Sequence, residues 1–255
     1  MDLTFATQPA AKLEHGPPSG NHVIPWKLID TGPIPGTSDT LRLKQRGDEF
    51  SIMLGQNQLM SSRLHGSEIA LATLTHRRIA DRKNAHVLIG GLGMGFTLRA
   101  ALEAFGPETK IVVAELVPAV IAWARGPMSA LFRNSLNDPR LTIDRADVLD
   151  LIKAKVSGYD AILLDVDNGP EGLTRAANDR LYDLDGLKIA LRALRPAGIL
   201  AVWSSGPDDG FTQRLLRAGF SVDEMAVRAS DTRKGSRHHI WLATRPDSKT
   251  QASKA

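Results

Sequence analysis

The spacing of apolar positions changes character along the chain. Between Thr40 and Met60, "LRLKQRGDEFSIMLGQNQLM" alternates apolar and polar residues and carries turn signals at "RGDE" and "LGQN". A period of two belongs to strands with one wet face, so this stretch predicts a small meander. From about Gly66 the spacing lengthens, and Leu71, Leu74 and Ile79 fall on one helical face. After Ala85 a third regime begins. The runs "HVLIGG", "KIVVAEL", "LTIDRAD", "YDAILLDVD" and "ILAVWS" are short with apolar centres, and helical patterns separate them. Met94, Leu98, Ala101, Leu102 and Phe105 mark the first of these helices. Another starts at Pro118, a favourable first-turn residue, and breaks at Gly126–Pro127. Leu184, Leu187, Leu191 and Leu194 define a helix stopped by "RPAG", and a last one runs from near Phe211 to Ala218, ending at Gly219. "FSVDEMAVR" and "RHHIWLATR" read as a closing pair of strands.

Strands apolar on both sides, alternating with helices, require a sheet covered on both faces. The expected fold class is α/β: a doubly wound, mostly parallel, seven-stranded Rossmann-like sheet behind a small N-terminal β-hairpin domain. The expected boundaries are a disordered polar tail over 1–21, the small β-domain over 22–65, the Rossmann-like domain over 66–245 and a second disordered tail over 246–255.

Composition narrows the chemistry. The chain has 255 residues and no cysteine, which removes disulfides, thiolate metal sites and cysteine nucleophiles. Of the seven histidines only His238 and His239 are adjacent, and on a strand they face opposite ways, so no metal site is expected. No window reaches ~18 consecutive apolar residues, and the N-terminus lacks a basic region followed by an apolar run, so the expectation is a cytoplasmic protein without a membrane span. The net charge of +4 is modest, and the densest basic segment, "HRRIADRK", lies on a predicted helix as a solvated face; nucleic acid is not an expected partner.

In a doubly wound sheet, ligands bind beyond the carboxyl ends of the strands. The first run ends in "GGLGMG", where Gly91, Gly93 and Gly95 remove Cβ atoms and would let a ligand approach the amides. The second ends in Glu115, about twenty residues on, where a carboxylate can accept both hydroxyls of a ribose. Asp147 follows the third; it could accept from an exocyclic adenine amine, or simply cap the next helix. The fourth ends in "LLDVDNGP", which brings Asp165 and Asp167 to the sheet edge, where two acids two residues apart are hard to explain as core. No "GK[ST]" follows the glycines, so a triphosphate loop is excluded and a nucleoside held by carboxylates fits better. "WSSGPD" lacks the glycines of a nucleophile elbow, which argues against a hydrolase, and Trp203 and Trp241 read as sheet packing.

With "VLIGGLGMG", "VVAEL", "DPRLTIDRADVLDLI", "YDAILLDVDNGP" and "LRALRPAGILAV" in this order, the chain resembles the spermidine synthase (polyamine aminopropyltransferase) branch of the class I S-adenosylmethionine-dependent methyltransferase fold from about Thr40 to Arg245. The resemblance implies S-adenosylmethionine or its decarboxylated form as cofactor, bound by Gly91, Gly93, Gly95, Glu115, Asp147 and Val148. It implies that Asp165 faces the incoming amine, with Asp167 as a second acid. His65, Glu68, Asn168 and Tyr182 fall at substrate positions, and a homodimer is implied. The chain departs from the family pattern in three places. Its glycine turn lacks the family's usual acid, which leaves Gly93 open to the carboxylate of intact S-adenosylmethionine. The active-site loop is shorter, and the Tyr-His-Glu opening motif is only echoed by His65 and Glu68.

The chemistry expected is in-line attack of a small-molecule amine on a sulfonium carbon, with Asp165 deprotonating and orienting the amine. Methyl transfer from the intact cofactor is the first reading. The alternatives are aminopropyl transfer from decarboxylated S-adenosylmethionine to a diamine, or a nucleoside-binding protein without turnover.

Overall fold

The computed structural model describes residues 24–166, 180–229 and 236–247. Four strands, β1 (Lys27–Pro33), β2 (Thr40–Arg46), β3 (Glu49–Leu54) and β4 (Asn57–Ser61), pair antiparallel in sequence order. Leu41, Leu43, Phe50 and Ile52 point to one face and are buried, as the alternation predicts. The periodic reading began at Thr40 and so missed β1. Six of its seven residues are exposed, and only Gly32 is buried. With its side chains in solvent, β1 leaves no period-two signature. It is fastened by Gly32, where a Cβ would lie 2.1 Å from Ala119 Cβ, and by Trp123, whose indole N–H donates to Asp30 Oδ2 at 2.7 Å.

The second sheet has seven strands: β5 (His86–Gly90), β6 (Lys110–Ala114), β7 (Leu141–Asp144), β8 (Tyr159–Leu164), β9 (Leu194–Ser204), β10 (Ser221–Arg228) and β11 (Arg237–Thr244). Their order is β10-β11-β9-β8-β5-β6-β7. Strands β5 to β9 run parallel, and β11 lies antiparallel between β9 and β10. The chain winds from β5 outward through β6 and β7, then returns to β8 on the other side of β5. The switch point is therefore between β5 and β8.

Alternation along each central strand divides the core. Val87, Ile89, Ala161, Leu163, Ile199 and Ala201 face α1 (Gly66–Arg78), α2 (Phe96–Ala104), α3 (Pro118–Arg125) and the small sheet. Leu88, Ile162, Leu164, Leu200 and Val202 face α5 (Val148–Lys153), α6 (Leu184–Ala193) and α7 (Asp209–Ala218). A short α4 (Ser129–Phe132) follows the break at Gly126–Pro127. Burying an aliphatic side chain of this size contributes roughly 1.5–3 kcal/mol, and this double burial makes the runs apolar without alternation. The helix ahead of "RPAG" ends as expected, but β9 starts immediately at Leu194 and takes Pro196 and Ala197 into the strand. Ala197 accommodates this with a φ of 55°, and the pairing to β8 shifts register between Tyr159 and Ala161.

Asp160 is a buried acid at the amino end of β8. It pairs with Arg82 at 2.5 Å and Arg195 at 2.6 Å, and accepts from the His86 amide at 2.8 Å. These partners satisfy its charge, so it ties strands together at the end of the sheet away from the switch point. No helix among the described residues is long and apolar enough to cross a membrane.

Candidate functional site

At the switch point the carboxyl ends of β5, β6 and β8 come within reach of one another. The Asp165 amide donates to Gly90 O at 3.1 Å, and the Gly91 amide to Ala114 O at 2.9 Å. Gly91 has φ +91°, and a Cβ there would lie 2.5 Å from the Asp165 carbonyl oxygen. Only glycine allows this approach. At Gly93, φ is +49° and a Cβ would lie 2.9 Å from Met60 Sδ; at Gly95 it would strike the Phe132 ring. Neighbouring protein atoms thus add a second reason for glycine at these three positions. Gly91 and Gly93 still line the larger cavity, and Gly95 the smaller.

Glu115 is almost fully buried and ends β6. Its Oε2 accepts from the Leu92 amide at 2.9 Å and its Oε1 from the Val117 amide at 2.8 Å. Burial pushes its carboxyl above the usual range, and amides of Val117, Leu92, Gly93 and Leu116 oppose that shift. Asp147 is the N-cap of the next helix, the second of the two parts considered for it. Its Oδ1 caps α5 by accepting from the Leu149 amide at 2.9 Å, and the residue also lines the larger cavity beside Val148.

That cavity has a volume of about 120 Å³ and opens to solvent. Glu115, Asp147 and Asp165 form its polar wall. Its opposite wall comes from the small sheet, through Ile34, Leu41, Ile52 and Leu54. A second cavity of about 40 Å³ adjoins it, sharing Leu59, Met60, Gly93 and Asp165, and adds Glu68 and Trp203. Among the described residues that line the two cavities, none is Lys, Arg or His; the charged ones are Glu68, Glu115, Asp147 and Asp165.

Asp165 sits where the cavities meet. Burial pushes its carboxyl up to about 6, against the lowering effect of the Thr97 hydroxyl, which donates to Oδ2 at 2.6 Å. Glu68, in the first turn of α1, is pushed up to about 7 by burial and by the charge of Asp165, while the Ser67 hydroxyl at 2.7 Å opposes the shift. Two acids competing to hold charge at one cavity can bind a cation when ionised and take a proton near neutral pH.

The structure brings Gly91, Gly93, Gly95, Glu115, Asp147, Val148, Asp165 and Glu68 to the two cavities. Asp167 and Asn168 lie outside the described residues. His65 and Tyr182 are corrections. His65 stacks on Phe96, ring centroids 4.4 Å apart, and lines neither cavity. Tyr182 packs edge-on against Phe211 in the core on the far side of the sheet, because it leads directly into α6, which covers that face. Sequence reasoning did not find Met60, Thr97 or the cavity role of Trp203. Thr97 closes the stretch "GMGFT", two residues after Gly95, which is the one local hint. Met60 and Trp203 read as ordinary packing residues, and only the fold sets them at the site.

Gly93 also bears on the cofactor expected first. Its amide is turned to Glu115 and Met60 occupies the space before it.

No protein-family model matches the chain. Over 138 residues, 53% of this chain, it is 29% identical to the polyamine aminopropyltransferase of Mycobacterium tuberculosis H37Rv. Over 115 residues, 45% of the chain, it is 36% identical to putrescine N-methyltransferase 4 of Nicotiana tabacum. The matched stretch spans 25% of the first relative's length and 28% of the second's. The spermidine synthase structure from Thermotoga maritima superposes with a TM-score of 0.68 at 18% identity, covering 88% of this chain and 74% of that one. The chain thus has the spermidine synthase variant of the class I methyltransferase fold, with a separate four-stranded N-terminal sheet.

Proposed function

We propose that this spermidine synthase-like protein is a transferase that carries the aminopropyl group of decarboxylated S-adenosylmethionine to a small amine. The observation that carries this reading is the charge of the lining, with four carboxylates and no cationic side chain among the described lining residues. A sulfonium nucleoside with an ammonium tail, and an amine acceptor, are both cationic. The carboxylate of intact S-adenosylmethionine would meet like charge there. When bound, such a nucleoside supplies an activated carbon and a neutral thioether leaving group.

The chain's residues supply position and a base. In this reading Glu115 accepts from the ribose hydroxyls, Asp147 uses the oxygen not engaged in capping α5 to accept from the adenine amine, and the small sheet covers the base. Asp165, oriented by Thr97, draws the amine into the second cavity and removes a proton from it, so that the nitrogen lone pair is free. Glu68 shares the burden of the cationic amine. Trp203, Met60 and Leu59 exclude water, which strengthens each of these interactions. Asp167 and Asn168 stay in the proposal as further acceptor contacts, and a homodimer through the exposed β1 edge is the assembly that goes with it.

Methyl transfer from the intact cofactor is the second reading. The acid-free glycine turn and the Nicotiana tabacum N-methyltransferase relative favour it. Titration calorimetry with both cofactors, followed by mass spectrometry of products formed with diamines, separates the two. The expected result is at least ~10-fold tighter binding of the decarboxylated form, the equivalent of about 1.4 kcal/mol, and a product heavier by an aminopropyl group. A preference for the intact form with a methylated product makes the second reading correct. Binding of neither overturns both.

A further inference from the structure

Beyond the two cavities, a line of polar groups leaves Glu68 and reaches the surface. Ser67 is completely buried, and its Oγ lies 2.7 Å from Glu68 Oε2 and 2.8 Å from His238 Nδ1. His238 stands on the α1 side of β11, edge-on to Trp203 with ring centroids 4.8 Å apart. Its Nε2 faces Ser236 Oγ at 3.4 Å, and Ser236 is exposed. We propose that Ser67 and His238 form a proton path that connects the Glu68–Asp165 pair to solvent. This rests on the reading above, in which the cavity takes a proton from an amine.

A hydroxyl has one proton to donate, which gives the chain two self-consistent orientations. With Glu68 ionised, Ser67 donates to Glu68 and the Nδ1–H of His238 donates to Ser67. With Glu68 protonated, its O–H donates to Ser67, Ser67 donates to Nδ1, and the imidazole carries its proton on Nε2. The Glu68–Ser67 and Ser67–His238 hydrogen bonds are kept in both, so passing from one to the other leaves Ser67 paired. A buried contact serving only to pin the helix start would need just one of them.

The proton balance closes. An amine N–H bond breaks, its electrons stay on nitrogen, and the proton goes to the carboxylate pair. From protonated Glu68 a proton moves to Ser67 Oγ as Ser67's own proton moves to His238 Nδ1. The imidazolium then releases its Nε2 proton to water beside Ser236. Glu68 ends as a carboxylate, Ser67 as a hydroxyl and His238 as the neutral Nδ1–H form. Burial and the neighbouring His239 hold the His238 imidazolium below its usual range, which favours release. The charged or titratable groups around His238 are Glu68 on α1, His239 on its own strand and, beyond Glu68, Asp165 of β8; His239 is itself paired with Glu224 of β10 at 2.8 Å. Ser67 and His238 are positioning residues that act through Glu68.

The test uses the full chain with Ser67→Ala, Ser67→Thr and His238→Gln. Nitrogen-15 NMR of His238 reads the tautomer without any cofactor. The expected result is a switch from Nε2–H, at pH values below about 7 where Glu68 is protonated and the ring still neutral, to Nδ1–H as Glu68 ionises, kept in Ser67→Thr and lost in Ser67→Ala. In turnover assays, Ser67→Ala and His238→Gln should lower kcat by about 10-fold or more with KM for the amine changed less than about two-fold, and Ser67→Thr should recover most of the loss. A single tautomer at all pH values, a switch that survives in Ser67→Ala, or wild-type kcat in Ser67→Ala overturns the path. Should no sulfonium cofactor support turnover, the function proposed above fails, and the tautomer measurement alone decides this one.

Discussion

The hydroxyl of Thr97, in the first turn of α2, donates to Asp165 Oδ2 at the end of β8 across 2.6 Å. One hydrogen bond thus joins the two sides of the switch point, sets the rotamer of the central acid and leaves its other oxygen for a ligand. Thr97→Val keeps the shape and removes the donor. The expected outcome is a fall of about 10-fold in kcat with cofactor affinity nearly unchanged, whereas Asp165→Asn lowers kcat by roughly two to four orders of magnitude, the scale of a general base. Steady-state kinetics beside calorimetry checks both.

Glu115 is predicted to act on binding rather than turnover. Glu115→Gln sets an amide N–H₂ against one of the backbone N–H groups of Leu92 and Val117 and removes the charge. Hydrogen bonds to charged groups are worth about 1.5–3 kcal/mol, so the nucleoside Kd should rise about 10-fold or more. Circular dichroism of the variant controls for loss of fold.

Gly91→Ala tests the closeness of β5 and β8. The left-handed φ costs an L-residue about 1–2 kcal/mol, and the added Cβ meets the backbone carbonyl of Asp165 rather than a flexible side chain. The variant should lose several degrees of Tm by calorimetry and bind nucleoside poorly, because Asp165 must move.

The acids also predict a pH dependence of stability. Asp165 and Glu68 are held up to about 6 and about 7, above their ordinary values, first by burial. A raised acid favours the fold while protonated, so this contribution is full below about pH 4 and is lost as pH rises through 6 to 7. Asp165→Asn removes the cost of burying a charge. It should raise Tm at pH 8, by about 2–4 °C for each kcal/mol relieved, and leave Tm at pH 4 nearly unchanged. Equal shifts at both pH values would contradict the assignment.

For activity the sign is opposite, since the base must be ionised to accept a proton. The acid limb of the kcat profile is expected between about 6 and 7, the values to which the pair is raised. Glu68→Gln removes a competing acid and should move that limb to lower pH. A limb that stays in place would show that Asp165 does not sense Glu68.

Much of this molecule could be read from residue order alone, for a physical reason. Strands buried on both faces must be apolar without alternation, helices on the sheet must repeat near 3.6 residues, and positive φ selects glycine; each is a local consequence of a local pattern. Glu115, Asp147 and Asp165 were legible because each ends a strand, and strand ends in such a sheet share one edge. The walls of the cavities depend on contacts between distant segments, and no local pattern encodes these. Met60 lies before Gly93, Trp203 and Thr97 frame the acid, Ser67 meets His238 across 171 positions, and Tyr182 turns to the opposite face, all because of how two sheets and their helices pack. The glycines show the division best. That they were needed was plain in the sequence, but that Asp165, Met60 and Phe132 fill the space they leave was settled only by tertiary packing.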